Sequence, residues 1–262
     1  FENENGRGQY SNRKLLAVSE QGFYDVIHLD VDDDGLRDIL YTNTIGDIRA
    51  KRNTGNGTFD AEYDVYLSAS IPLLISFADD AAERVGEKKL IVTDYNGGVI
   101  EITANTDWTF TTTPVWKGSG YLAGMSGLDT GPFYHAVPAN ISSSSVMDLF
   151  LCTNNKFVWI DKVTNQAISI ADVDSKYRLC KIETNDWNND GLTDVAVTDF
   201  AGGEGVLVFM HPGREVDIYQ KQSWETGRHR LKVSHPSSVQ AFDVDGDDRK
   251  DLVVTSYTDG TI

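Results

Sequence analysis

Asp30, Asp32, Asp34 and Asp38 fall within nine residues of the stretch LDVDDDGLRDILYT, residues 29–42. Carboxylates held that close repel one another unless a cation sits among them. The pattern returns in NDWNNDGLTDVAVT, with Asp186, Asn188, Asp190 and Asp194, and in FDVDGDDRKDLVVT, with Asp243, Asp245, Asp247 and Asp251. Each copy reads D-x-[DN]-x-D-x-x-x-D. Such spacing brings its oxygens together only if the backbone wraps around a point. Six or seven oxygen ligands, mostly anionic and at variable angles, favour Ca²⁺ over Mg²⁺. The backbone carbonyl at the seventh position, that of Leu36, Leu192 or Arg249, completes each set. Gly35 and Gly191 at the sixth position permit a positive φ, whereas the third loop has Asp248 there and is expected to strain or rearrange. An EF-hand is excluded, because its twelfth position must be a bidentate Glu beside a helix, and that position holds Tyr41, Val197 and Val254.

Something must position these loops, and each runs directly into alternating β-branched and aliphatic residues that read as a strand. Two further segments, KKLIVTDYNGG and MDLFLCTNN, keep the strand without the full acidic loop. Aligned on the residue that opens the strand, the copies begin at Asp38, Lys89, Asp148, Asp194 and Asp251, a period of about 50 residues. Each unit holds about four short strands punctuated by Gly turns and no helical periodicity, the composition of a propeller blade. The residues after Asp251 and before Asp38 together make one more interval. The expected fold is therefore all-β: a single domain over residues 1–262, a five-bladed β-propeller of four-stranded antiparallel blades. Strands from both termini should close the ring, Val239–Tyr257 supplying the inner pair of the last blade and Phe1–Ser19 the outer pair. The same N-terminal strands would also permit strand exchange between molecules. The chain begins without Met or a signal pattern and reads as processed, trimmed or part of a longer protein.

With these motifs in place, the sequence resembles the FG-GAP/VCBS-type repeats of integrin α-subunit propellers and fungal propeller lectins. The resemblance rests on the three acidic loops, supported by the Pro-Gly turn and the Trp of HPGREVDIYQKQSWETGRHRL. It implies that the loops join the first and second strands of their blades and hold about three structural calcium ions. The second blade, whose loop ADDAAERVGEKK is longer, and the third, whose NISSSSVMD keeps only Asp148, depart from the pattern and should hold none. The implied role is a secreted or cell-surface recognition or assembly module that binds glycan or protein on the face opposite the calcium loops. An accessory domain of a polysaccharide-active enzyme is the alternative.

Composition narrows the partners. The formal charge is −17, which argues against nucleic acid, and no apolar run is long enough for a membrane span. Cys152 and Cys180 lie in no CxxC or Cys/His cluster, so zinc is not expected. Two buried free thiols are the plainer reading, and one disulfide is the other. The five histidines form no ligand pair, and no nucleophile or phosphate-binding motif occurs, so the chain is not expected to be an enzyme. Trp108, Trp116 and Tyr121 flank a long Thr- and Gly-rich connection and are the candidate ligand-stacking residues.

Overall fold

The structure is a computed structural model that describes residues 2–3, 10–11, 22–67, 72–77, 86–94, 98–117, 134–142, 147–153, 155–164, 166–173, 180–201 and 203–258. At the start of the chain β1 (Glu2–Asn3) and β2 (Tyr10–Ser11) pair with one another. Four antiparallel four-stranded sheets follow. Blade one is β3 (Phe23–Leu29), β4 (Asp38–Asn43), β5 (Asp47–Gly55) and β6 (Thr58–Leu67). Blade two is β7 (Pro72–Phe77), β8 (Lys88–Asp94), β9 (Gly98–Ala104) and β10 (Phe110–Lys117). Blade three is β11 (His135–Ala139), β12 (Asp148–Cys152), β13 (Lys156–Asp161) and β14 (Gln166–Asp172). Blade four is β15 (Ile182–Asn185), β16 (Asp194–Asp199), β17 (Gly205–Phe209) and β18 (Arg228–Leu231), with a short helix α1 (Lys221–Thr226) before its last strand. A two-stranded sheet, β19 (Pro236–Phe242) and β20 (Asp251–Ser256), ends the described chain.

The strands are hydrogen-bonded in sequence order within each blade, as antiparallel neighbours joined by consecutive connections are. In blades two to four the second strands are apolar and buried, because each of these blades packs against a neighbour on both sides. Leu40, Leu90 and Ile102 pack between blades one and two, and Ile91, Leu151 and Val158 between two and three. Phe150, Phe157, Phe209 and Trp224 fill the space between blades three and four. Ala196, Val206 and Val239 join blade four to the two-stranded sheet. The inner strands β3, β7, β11, β15 and β19 surround a central channel.

The propeller expectation holds, and three finer expectations are corrected. Among the described residues there are four complete blades, not five, and the fifth repeat shows only its inner pair, β19 and β20; most of the expected outer pair, Phe1–Ser19, lies outside them. Among the described residues the termini do not close the ring, since β1 and β2 satisfy each other. The N-terminal segment FENENGRGQY is mostly polar and offers few apolar side chains to cover Leu252 and Val254. The helix, which no periodicity announced, seats the fully buried Trp224 in the core, with its Nε1–H donated to the carbonyl of Ile218 at 2.9 Å.

The cysteines correct the free-thiol reading. Cys152, at the end of β12, and Cys180, just before β15, form a disulfide across Cα atoms 6.3 Å apart, inside the core between blades three and four. No helix among the described residues is long and apolar enough to cross a membrane.

Candidate metal loops

The acidic loops connect the first and second strands of blade one, of blade four and of the two-stranded sheet. One hydrogen-bond frame recurs in all three. The first Asp accepts the N–H groups of the fifth and sixth positions: Asp30 from Asp34 (3.1 Å) and Gly35 (2.8 Å), Asp186 from Asp190 and Gly191, Asp243 from Asp247 and Asp248. The fifth-position Asp accepts from the seventh: Asp34 from Leu36, Asp190 from Leu192, Asp247 from Arg249. Two left-handed residues make this wrap possible. They are Asp33 and Gly35 in the first loop, Asn189 and Gly191 in the second, and Gly246 and Asp248 in the third. The third loop thus exchanges its glycine from the sixth position to the fourth, and every loop carries one non-Gly residue in that conformation. Asp and Asn tolerate it because their short side chains bond locally.

The ninth-position Asp has a separate task. Asp38 accepts Val31 N–H and Asn53 N–H, both at 2.8 Å, tying its loop to the third strand. Asp194 accepts Trp187 N–H (2.9 Å) and His211 N–H (2.8 Å) in the same way. Asp148 in blade three, which has no acidic loop, repeats the arrangement with Ser142 N–H (2.8 Å) and, more weakly, Lys162 N–H (3.4 Å). This carboxylate therefore fastens the blade whether or not a cation is near. Burial pushes the Asp38 carboxyl up to about 6, against the two N–H donors and with help from Asp32 and Asp34. Asp194 is raised for the same reason. Asp251 accepts Val244 N–H at 3.0 Å but is exposed, since no third strand is present beside β20 among the described residues.

Convergence differs between loops. Oxygens of Asp30, Asp32 and Asp38 lie within 4.8 Å of one another, as do those of Asp243, Asp245 and Asp247. Asp186, Asp190 and Asp194 do not form such a group among the described residues. The Asn188 amide instead donates to Asp190 Oδ2 (3.0 Å) and keeps that carboxylate occupied. In the first loop Asp34 is not part of the triad; its Oδ2 lies 3.3 Å from the Arg52 guanidinium that also holds Asp32. Leu36, Leu192 and Arg249 are held through their N–H groups as described.

The first loop is the most enclosed. The Asp32 side chain is 9% exposed, and its Oδ2 is held by Arg52 at 2.6 Å and by Trp108 Nε1–H at 3.0 Å. Its Oδ1 is buried without a hydrogen-bond partner. An unsatisfied carboxylate oxygen at that depth is costly in the absence of a cation. The loop is also clamped to blade two. Lys88, 1% exposed, donates to Asp33 Oδ1 (2.6 Å) and to the Gly86 carbonyl (2.9 Å), and Gly86 N–H reaches Asp33 Oδ2. The ammonium beside it, and then that N–H, hold the Asp33 carboxyl below its usual range.

Lys88 corrects the alignment made on Lys89. It pairs with Ala104, and Asn105 follows as Asn53 follows the partner of Asp38, so Lys88 stands where the other blades carry Asp. Trp108 is corrected as a free stacking platform: it lies on Tyr63 with centroids 4.7 Å apart and supports Asp32. Trp116 lies in β10 with its side chain outside the described residues, and Tyr121 lies outside them altogether.

Comparison with protein-family models and with curated proteins finds no match. Solved structures do match in fold. Two are described as crystal structures of BBS1N in complex with ARL6DN, soaked with lead and with mercury. They share 10% identity with this chain, with TM-scores of 0.51 and 0.52. Each alignment covers 94% of this chain, which spans 64% of the BBS1N chain. A Photorhabdus luminescens Tc holotoxin pore matches at 14% identity and a TM-score of 0.39, over 88% of this chain and 11% of that one.

Proposed function

We propose that this chain is a calcium-stabilised recognition propeller of the FG-GAP/VCBS type, working outside the cell and binding a protein partner without turning it over. The observation that carries the calcium reading is the orphaned Asp32 Oδ1, buried beside the converging oxygens of Asp30 and Asp38. Asp30, Asp32 and Asp38 would hold the first ion and Asp243, Asp245 and Asp247 another. Asp186, Asn188, Asp190 and Asp194 form the weakest set, because Asn188 occupies Asp190. A bound divalent cation supplies charge neutralisation and a rigid loop, not chemistry on a substrate.

The Cys152–Cys180 disulfide supports an oxidising compartment. The similar fold of BBS1N, described in complex with ARL6DN, supports a protein partner, by analogy of fold. Trp108, one of the three candidate stacking rings, is engaged by Asp32 and Tyr63.

Calorimetric titration of calcium into metal-free protein tests the reading. It should show binding that raises the melting temperature by several degrees, with Asp32→Asn removing the tightest site. No heat of binding, together with an identical melt in chelator, would overturn it.

A further inference from the structure

The central channel has an unbalanced wall. Five inner strands enclose a cavity of about 620 Å³, within the range of sites for small ligands and far larger than a few waters need. Among the described residues its charged lining is Asp25 from β3, Lys181 just before β15, Glu183 from β15 and Asp186, which opens the second acidic loop. Among the described residues three carboxylates thus face one ammonium, and two still do when Asp186 is given to its calcium loop.

Each group's commitments can be stated. Asp25 Oδ2 accepts Ile75 N–H at 3.0 Å and lies 3.6 Å from Lys181 Nζ. Asp186 is occupied by the N–H groups of Asp190 and Gly191. Glu183 accepts the Ala241 N–H, and among the described residues no cation lies within 4.0 Å of it. Its carboxyl is raised by burial, with Lys181 only partly offsetting this. His135, fully enclosed, is held neutral by burial and by the positive Lys181, and its Nδ1 accepts Ile182 N–H at 2.9 Å. The histidine therefore adds no positive charge to the wall.

We propose that this channel binds a small organic cation, a primary-amine ligand, whose ammonium pairs with Glu183. The charge count decides against an anion, because the one ammonium in the wall already sits beside Asp25. It also decides against a metal, because no three carboxylates converge within the channel among the described residues. This inference rests on the recognition role proposed above and adds a small ligand to its protein partner: the amine enters between the blades' inner strands, apart from the converging carboxylates of the first and third acidic loops.

The probe is cadaverine (1,5-diaminopentane), titrated calorimetrically into the calcium-replete chain at physiological salt, with glutarate as the counter-probe of equal length and opposite charge. Cadaverine should bind and glutarate should not. Glu183→Gln should weaken cadaverine about tenfold or more while leaving the melting temperature unchanged, because the Gln oxygen still accepts the Ala241 N–H. Lys181→Met should tighten cadaverine by removing the competing ammonium, and it decides the matter if Glu183→Gln fails to fold. Binding equal in Glu183→Gln and the native chain would place the amine on the acidic outer surface and overturn the proposal. So would glutarate binding in place of cadaverine, no binding by either, or an unchanged affinity in Lys181→Met. Chelator melts on the same preparations separate the two readings: cadaverine binding without a calcium effect refutes the calcium loops alone, and the reverse refutes the channel alone.

Discussion

Asp38 offers a direct test of what burial does to a loop carboxylate. Its carboxyl sits at about 6 in the folded chain against 3.8 for an unperturbed aspartate. A shift of about two units corresponds to about 3 kcal/mol of preference for the protonated form. Because the folded state binds this proton more tightly than the unfolded state, the contribution is fully present below pH about 4. It is lost as pH rises through about 6. In chelator, Asp38→Asn cannot ionise, so it lacks this pH dependence while sharing that of every other group. The difference in unfolding free energy between the native chain and Asp38→Asn should therefore move by about 3 kcal/mol in favour of the variant between pH about 4 and about 7. Urea denaturation at half-unit pH steps measures it. Saturating calcium should reverse the trend, since a metal ligand must be ionised and calcium affinity should fall below pH about 6. A difference flat in pH without calcium would refute the claim that burial governs this carboxylate.

Other expectations follow from contacts within and between blades. Gly205→Ala places a Cβ 2.2 Å from the Leu231 carbonyl oxygen at a φ of +81°, so denaturant midpoints should show a loss of at least about 1–3 kcal/mol. Replacing Cys152 and Cys180 together by Ala, or reducing the disulfide, should lower stability by about 2–4 kcal/mol in the same assay. Lys88→Met keeps the apolar stem and removes the ammonium. The Asp33 carboxyl should then titrate at higher pH by NMR, and the melting temperature should fall; an unmoved titration would assign Asp33 wholly to the Gly86 N–H.

The acidic loops were legible because their bonds are local. Asp30 reaches Asp34 and Gly35, and Asp38 reaches Val31, all within one turn of chain, so spacing and residue type carry the geometry. The Gly246 and Asp248 exchange in the third loop was equally visible in the residues once the fourth position was known to need a positive φ. The blade period was legible for a related reason: alternating apolar strands and Gly turns repeat wherever sheets must be buried on both faces. The sequence by itself therefore determined an all-β propeller with three recurring acidic loops, on a chain whose net charge of −17 argues against nucleic acid.

What lay beyond it joins residues distant in the chain. Lys88 meets Asp33 across 55 residues and Trp108 meets Asp32 across 76, so neither partner leaves a trace in local spacing. Lys88 shares its strand with a second lysine, and only pairing with β9 decides which of the two turns inward. Cys152 and Cys180 became a disulfide because β12 and the approach to β15 belong to adjacent blades. The number of complete blades was likewise settled by tertiary pairing. A repeat count measures inner strands, whereas a blade needs outer strands with enough apolar surface to stay docked, and the polar segment ending in Tyr10 and Ser11 pairs with itself instead.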